Sequence, residues 1–439
     1  MMKVSDEIPL ANFFNNVGDS LLVEILGRLP SRAAIRVKSV CRRWRSLISS
    51  DYFMSFFHHR RHDPSLPPLD DHDSLSYSML IQLAYSDNLD LCLSLIRCRY
   101  TTHSAKLHAH HSLDFSFLPC RPQTKVELKA SCDDLVVCSF KNTFFYVCNL
   151  LTRQWVALPP APHFIEQAIG LLCLPVPKPC SINNCHRQCV HHKKFMVVRI
   201  HRHDELGVPQ SKFKVQFFSS EEGEWTTRVV SSPQALTTFT FNTCYGTVWN
   251  KSYNYLVAHK GLLYWQICSS VVVFDPFNSP QTFSHVIDLP LESDYHRPSS
   301  IAVCRDRVCV QIWLLSPKHH RGEKSSVDIW ELEDYVMGKW NLVHKHCNEN
   351  LKPDPEGNNI CVEYVHPDGN VLYQRKNWTV WLWNFECGEQ YELIHRTPGH
   401  QLFSEGNILQ IVDQWWPTPV PSLPGPPLHL HLHHMIKSL

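Results

Sequence analysis

Between positions 17 and 61 apolar residues recur every three or four places. Leu21, Leu22, Ile25, Leu26 and Leu29 predict one stripe of a helix, with Asp19 placed to cap its first turn and Pro30 to stop it. Ser31 can cap a second helix, along which Ala34, Val37, Cys41, Trp44 and Leu47 keep the spacing through Ile48. Ser49, Ser50 and Asp51 then open a short third piece carrying Tyr52, Phe53, Phe56 and Phe57. The pattern predicts three or four short helices around one small core. About forty residues bury only a modest fraction of their surface, so such a module leans on a partner.

Residues 62–74 set Pro64, Pro67 and Pro68 among Asp and His, a composition that reads as a linker. Beyond it the rhythm changes. Five stretches, FFYVCNLLTRQWVAL, VQFFSSEEGEWTTRVV, VVVFDPFNSPQTFSHVI, VDIWELEDYVMGKWNLV and TVWLWNFECGEQYELI, join an apolar strand through a tight polar turn to a second strand. That second strand opens near Trp155, Trp225, Phe283, Trp340 or Tyr391, at intervals of about fifty to seventy residues. Such spacing predicts the blades of an all-β propeller, about six in number, each a small sheet that buries its faces on its neighbours. The sixth is expected to be shared by both ends of residues 75–416, with GNILQIVDQWW completed by Ser78 to Tyr100. A two-sheet sandwich is the competing all-β arrangement. The expected fold class is therefore α+β multidomain, a helical segment 15–61 followed by β structure over 75–416.

The last stretch, 417–439, combines PTPVPSLPGPP with HLHLHH, and its proline density predicts a mobile tail without helix or strand.

Composition agrees with the β reading. Of 439 residues 44% are hydrophobic and only 19% charged, while 22 Phe, 14 Tyr and 13 Trp suit half-buried strands. The N-terminus has no apolar run behind a basic start and no segment reaches the length of a membrane span, so the expected setting is intracellular, cytoplasm or nucleus, with no membrane partner. There the 18 cysteines stay thiols, and Cys138, Cys148, Cys173, Cys304, Cys309 and Cys361, inside apolar runs, act as small hydrophobes. Arg32, Arg36, Lys38, Arg42, Arg43 and Arg45 make the helical segment basic, yet the whole chain carries a net charge of only +1. That balance argues against nucleic acid and fits an arginine-bearing face that meets an acidic protein surface.

The run LLVEILGRLPSRAAIRVKSVCRRWRSLISS resembles an F-box, the module that docks on the Skp-type adaptor of SCF ubiquitin ligases. The likeness rests on Leu21 to Pro30 and on Ser39-Val40-Cys41 followed by Trp44 and Leu47; it departs at Val17-Gly18, where the family has Leu-Pro. It implies that Val17, Leu21, Leu22, Ile25, Leu26, Leu29, Pro30, Val37, Val40, Cys41 and Trp44 meet the adaptor. Residues 75–416 resemble the F-box-associated domain of plant F-box proteins through CNLLTRQWVALPP, FFSSEEGEW, GLLYWQICSSVVVFD and VDIWELEDYVMGKWNLVHK.

Other chemistry finds little support. Cys180, Cys185, Cys189 and His191 lie in CSINNCHRQCVHH, but their spacing matches no common zinc module, so no metal and no cofactor is expected. The tail's His429, His431, His433 and His434 lack fixed geometry. There is no Gly-x-Ser-x-Gly elbow and no phosphate loop, and Glu221, Glu222 and Glu224 read as a water-facing hairpin. No catalytic residue is assigned. For target binding, Tyr245, Trp249 and Tyr253, set among small polar residues, are the first candidates, with Trp415 the second. The resemblance implies a substrate receptor, linked through the adaptor to cullin and a RING protein, that holds an unidentified target for ubiquitination. An adaptor-binding scaffold without ligase function, a propeller enzyme and a nucleic-acid-binding protein are the alternatives.

Overall fold

The computed structural model describes residues 17–424 apart from 30, 62–75, 88–89, 102–105, 114, 120–125, 141, 164, 180–187, 202–207, 238–255, 268, 292–295, 315–325, 348–359, 366–370, 377–378, 385–389, 393–400, 404–407 and 414–416. The chain divides into two compact units: residues 1–75, 175–193 and 414–419, with the N-terminal helices, and residues 76–174, 194–413 and 420–439, with the greater part of the sheets.

The helices are α1 (Asp19–Leu26), α2 (Ser31–Arg36), α3 (Arg42–Ile48) and α4 (Asp51–Arg61), with a 3₁₀ turn at Val37–Ser39. The run expected to continue to Ile48 is broken where Cys41 turns extended, with ψ 168°, and caps α3 by accepting from Trp44 N–H at 3.4 Å. Gly18, not Asp19, is the N-cap of α1. The Asp19 carboxylate instead accepts from Arg43 of α3, at 2.9 Å from Nε and 2.6 Å from Nη2. Ser50 Oγ accepts from Phe53 N–H at 3.2 Å and so caps α4.

Val17, Leu22, Val23, Leu26, Ala34, Ile48, Phe53, Met54 and Phe57 form the buried core, with Leu29, Val37 and Trp44 packed against it. The expected stripe on α1 is thus split. At about 100° per residue it covers an arc too wide for one small core. The core takes the side of Leu22, Val23 and Leu26, leaving Leu21 and Ile25 outside.

The second unit begins with β1 (Ser76–Asp87), β2 (Asp90–Thr101) and β3 (Lys106–Leu113). Five four-stranded antiparallel sheets follow in chain order. The first holds β4 (Val126–Cys132), β5 (Leu135–Phe140), β6 (Phe144–Asn149) and β7 (Gln154–Ala157). The second holds β8 (Glu166–Pro179), β9 (Gln188–His201), β10 (Pro209–Ser219) and β11 (Trp225–Thr237). The third holds β12 (Val257–His259), β13 (Leu262–Ile267), β14 (Ser270–Phe274) and β15 (His285–Asp288). The fourth holds β16 (His296–Cys304), β17 (Arg307–Leu314), β18 (Ser326–Asp334) and β19 (Lys339–Cys347). The fifth holds β20 (Ile360–Val365), β21 (Val371–Lys376), β22 (Thr379–Asn384) and β23 (Gln390–Glu392). Finally β24 (Gln401–Phe403) and β25 (Ile408–Asp413) return to β1.

This return makes a sixth, closing sheet from both ends of the unit. β25 pairs antiparallel with β1 from Ser76↔Asp413 to Ile81↔Ile408, and β24 pairs further along the same strand. Neighbouring sheets meet through inner strands, β25 beside β4, β12 beside β16 and β16 beside β20, and at one seam through fourth strands, β11 beside β15. Buried clusters fill the spaces between neighbours: Leu80, Leu409 and Ile411 with Leu128 and Val136, Phe145 with Phe218, Phe213 with Trp265, and Val271 with Val310. The arrangement is a six-bladed β-propeller, and the two-sheet sandwich is overturned by six sequential sheets.

One expectation about the tail also fails. Residues 417–424 have no helix or strand, as their prolines dictate. They are not loose, however. Pro417 and Thr418 are buried, and Val420 and Leu423 pack on the cluster between the first and second sheets. Alternating prolines restrict the unbound chain, so ordering this segment costs little entropy. Residues 425–439, with the four histidines, lie outside the described part.

Candidate functional site

On the helical unit, Leu21 and Ile25 stand one turn apart on α1, 56% and 38% exposed, and Val40, just before α3, is 60% exposed. Tyr52, on α4, is 46% exposed. Arg43 ties the starts of α1 and α3 together, its guanidinium on Asp19 and donating to Val17 O. Burial lowers the Lys38 pKa from its ordinary value. The residues assigned to the adaptor therefore separate. Leu21, Ile25, Val40 and Cys41 are exposed. Val17, Leu22 and Leu26 are core, while Leu29, Val37 and Trp44 lie partly buried against them. Pro30 lies outside the described residues. Of the aromatics on α4, Phe53 and Phe57 are buried in the core and Tyr52 is exposed.

On the propeller, the four candidates for target binding, Tyr245, Trp249, Tyr253 and Trp415, lie outside the described residues. So do Cys180 and Cys185, and the side chains of Cys189 and His191. Among the described residues no group of three His, Cys, Asp or Glu side chains is placed to hold a metal. Cys138, Cys148, Cys173, Cys304 and Cys309 are buried thiols, and the Cys304 thiol is held well above its ordinary pKa by its hydrogen bond with Cys309 and by burial. Glu221 sits in its hairpin as a surface ion pair with Lys194 at 2.9 Å.

The recurring aromatics have a job the sequence did not reveal. All five fall at or beside the fourth strand of a sheet, Trp225 at the start of β11 and Trp340 in β19. Trp225 Nε1–H donates to Pro159 O, just past the first sheet, at 2.9 Å. Trp340 Nε1–H donates to Asp288 O, at the end of the third sheet, also at 2.9 Å. Each tryptophan rivets its sheet to the preceding one. The turn before it is shaped by a capping side chain: Asn149 Oδ1 accepts from Leu151 and Thr152 N–H, Asp275 Oδ1 from Phe277 and Asn278, and Asp334 Oδ1 from Val336 and Met337. Ahead of Trp155, Phe283 and Trp340 an Asn or Asp six to eight residues earlier was the readable signal; ahead of Trp225 Ser219 takes that place.

A family model for the F-box protein At3g26010-like β-propeller matches residues 101–374, well over half the chain. The chain belongs to that family. A second model, F-box-like, matches residues 19–60, which contain all four helices but the last residue of α4. Among curated relatives from Arabidopsis thaliana, F-box protein At5g49610 is 25% identical over 356 residues, 76% of this chain and 81% of that one. Putative F-box/kelch-repeat protein At1g15680 is 25% identical, with 74% and 71% of the two chains covered. F-box protein At1g49990 is 27% identical over 223 residues, and there the chain spans about half (49%) of the relative's length. A solved oligogalacturonate lyase in complex with manganese overlaps 70% of this chain and 74% of that one, at 8% identity and a TM-score of 0.33, too low to carry an argument. An F-box joined to a β-propeller is the general build of an SCF substrate receptor, and F-box proteins are in general non-catalytic adaptors that reach the ligase through a Skp-type protein.

Proposed function

We propose that this chain is the substrate-recognition subunit of an SCF-type ubiquitin ligase: α1 and the Val40 turn dock a Skp-type adaptor, and the propeller holds a target protein. Catalysis is then proximity, the target's lysines being held near a charged conjugating enzyme. The observation that carries this reading is the exposure of Leu21, Ile25 and Val40 on a helical unit whose own core is already filled. A folded module with a leftover apolar face has an interaction to make.

The test is adaptor pull-down with full-length Leu21→Asp/Ile25→Asp. Placing carboxylates in an apolar contact weakens it well beyond the roughly 1.4 kcal/mol of a tenfold change. Loss of adaptor with an unchanged melting curve supports docking through this face. Retention of adaptor by the double variant rejects it. Co-purification with cullin separates a receptor from an adaptor-binding scaffold.

A further inference from the structure

Beyond the closing strand, the chain makes a second kind of contact with its own propeller. Val420 and Leu423 join the cluster that holds Phe145, Phe218 and Trp225, between the first and second sheets. Val420 N–H lies 3.5 Å from Gln154 Oε1 on β7. Pro424 rests on Gly223, at the β10–β11 turn, where φ is +77° and an added Cβ would lie 2.8 Å from Pro424 Cγ. This short strap therefore crosses from the outer strand of one sheet to a hairpin turn of the next.

The cleft is complete without it. Trp225 is fixed by Pro159 O and packs edge-on against Phe145 at 5.7 Å. The buried Arg199 guanidinium lies over both rings, 4.8 Å from Phe145 and 5.7 Å from Trp225. The strap is held more lightly than the strand before it: Val420, Pro421 and Leu423 are only partly buried, Pro424 is exposed where it meets Gly223, and the Val420 hydrogen bond is at the limit of length, against six paired residues for β25. Its prolines preform an extended backbone, the low-entropy form that aromatic clefts select, and residues 417–427 carry no charge.

We propose that this cleft is a binding site for an extended, uncharged segment of a partner protein of the type Val-Pro-x-Leu-Pro, and that residues 420–424 fill it as an intramolecular competitor. The site belongs to the propeller alone and stands whether or not the helices dock an adaptor. A cleft free one tenth of the time binds an outside ligand about ten times more weakly than a vacant one.

The experiment is fluorescence anisotropy with a labelled PTPVPSLPGPP peptide against the full chain and against full-length Val420→Asp/Leu423→Asp. Both substitutions lie on the strap, and thermal unfolding checks that the propeller is intact. The strap variant is expected to bind the peptide about tenfold or more tightly than wild type. A peptide with aspartate in place of both apolar residues should not bind. Adding Gly223→Ala to the strap variant, which puts a methyl group in the seat of Pro424, should weaken peptide binding again. Equal affinity for wild type and strap variant, or no binding by either, overturns the proposal. A wild-type dimer that the strap substitutions dissociate also overturns it, because the strap would then fill a second copy's cleft.

Discussion

The helical unit buries nine apolar side chains yet leaves Leu21, Ile25, Val40 and Tyr52 in solvent within a stretch of thirty-two residues, 21–52. The propeller, several times longer, exposes large apolar residues mainly at hairpin tips and strand edges, such as Leu151, Val229 and the Tyr335–Val336–Met337 turn. The difference follows from geometry. Each sheet of a ring has a neighbour for both faces, so strands such as β5 and β6 are buried nearly end to end. Four short helices have no such neighbours, and one arc of α1 goes uncovered. Self-sufficiency in one unit and incompleteness in the other suit a rigid holder and a docking module.

Breaking the ring should have the largest effect. Removing 406–439 strips β25 and leaves β1 with unpaired backbone groups and Leu80 exposed, so the truncated protein should aggregate or melt more than about 10 °C lower. Leu409→Asp, a point charge in the same packed seam, should act likewise; an unchanged transition in both would show that closure contributes nothing.

The helical unit offers the next contrast. Leu22→Ala removes a fully buried side chain and should cost about 2–4 kcal/mol of that unit's stability, whereas Leu21→Ala should stay within about 0.5 kcal/mol. Hydrogen exchange of α1 and α3 amides reads the difference, and equal protection in the two variants would erase the inside–outside distinction on α1.

A smaller effect is expected from the tryptophan rivets. Trp340→Phe keeps an aromatic ring but loses the pyrrole half of the indole with the Nε1–H that Asp288 O accepts, for a loss of about 1–2 kcal/mol and a few degrees in Tm. Trp225→Phe should match it at the other seam.

The smallest concerns the clasp between the third and fourth sheets, where Lys260 reaches Asp306 at 2.7 Å beside His259. Burial lowers the His259 pKa, with Asp306 opposing and Lys260 assisting. Folded protein therefore takes up this proton less readily than unfolded protein. Its stabilising contribution is full above the ordinary value near 6.5 and is lost as pH falls through the lowered one. His259→Gln should flatten the part of the Tm decline below about pH 6.5 that this site causes. Parallel pH profiles for the two proteins would remove His259 from the account.

The blade rhythm and its shared closure were legible because strand periodicity and a recurring aromatic survive in any one chain, and Trp155, Trp225 and Trp340 mark fourth strands. The inside and outside of α1 were not. Leu21 and Leu22 are chemically identical, and only the direction from which α3 and α4 approach decides which is buried. The seating of the strap was hidden for a related reason. Proline excludes regular structure but is silent about contact, and nothing in PTPVPSLP names Gly223 or Gln154 as its neighbours.

The pairing of β1 with β25 also sets a timetable for the chain. On the ribosome Ser76–Asp87 emerges more than 300 residues ahead of Ile408–Asp413, a delay of roughly 15–60 s at ordinary elongation rates. Throughout that interval β1 offers a bare edge, and the ring cannot lock until Ile408–Asp413 has been made. Synthesis that stops anywhere before Ile408 leaves a product with that edge still open, the kind of surface that invites pairing with another chain.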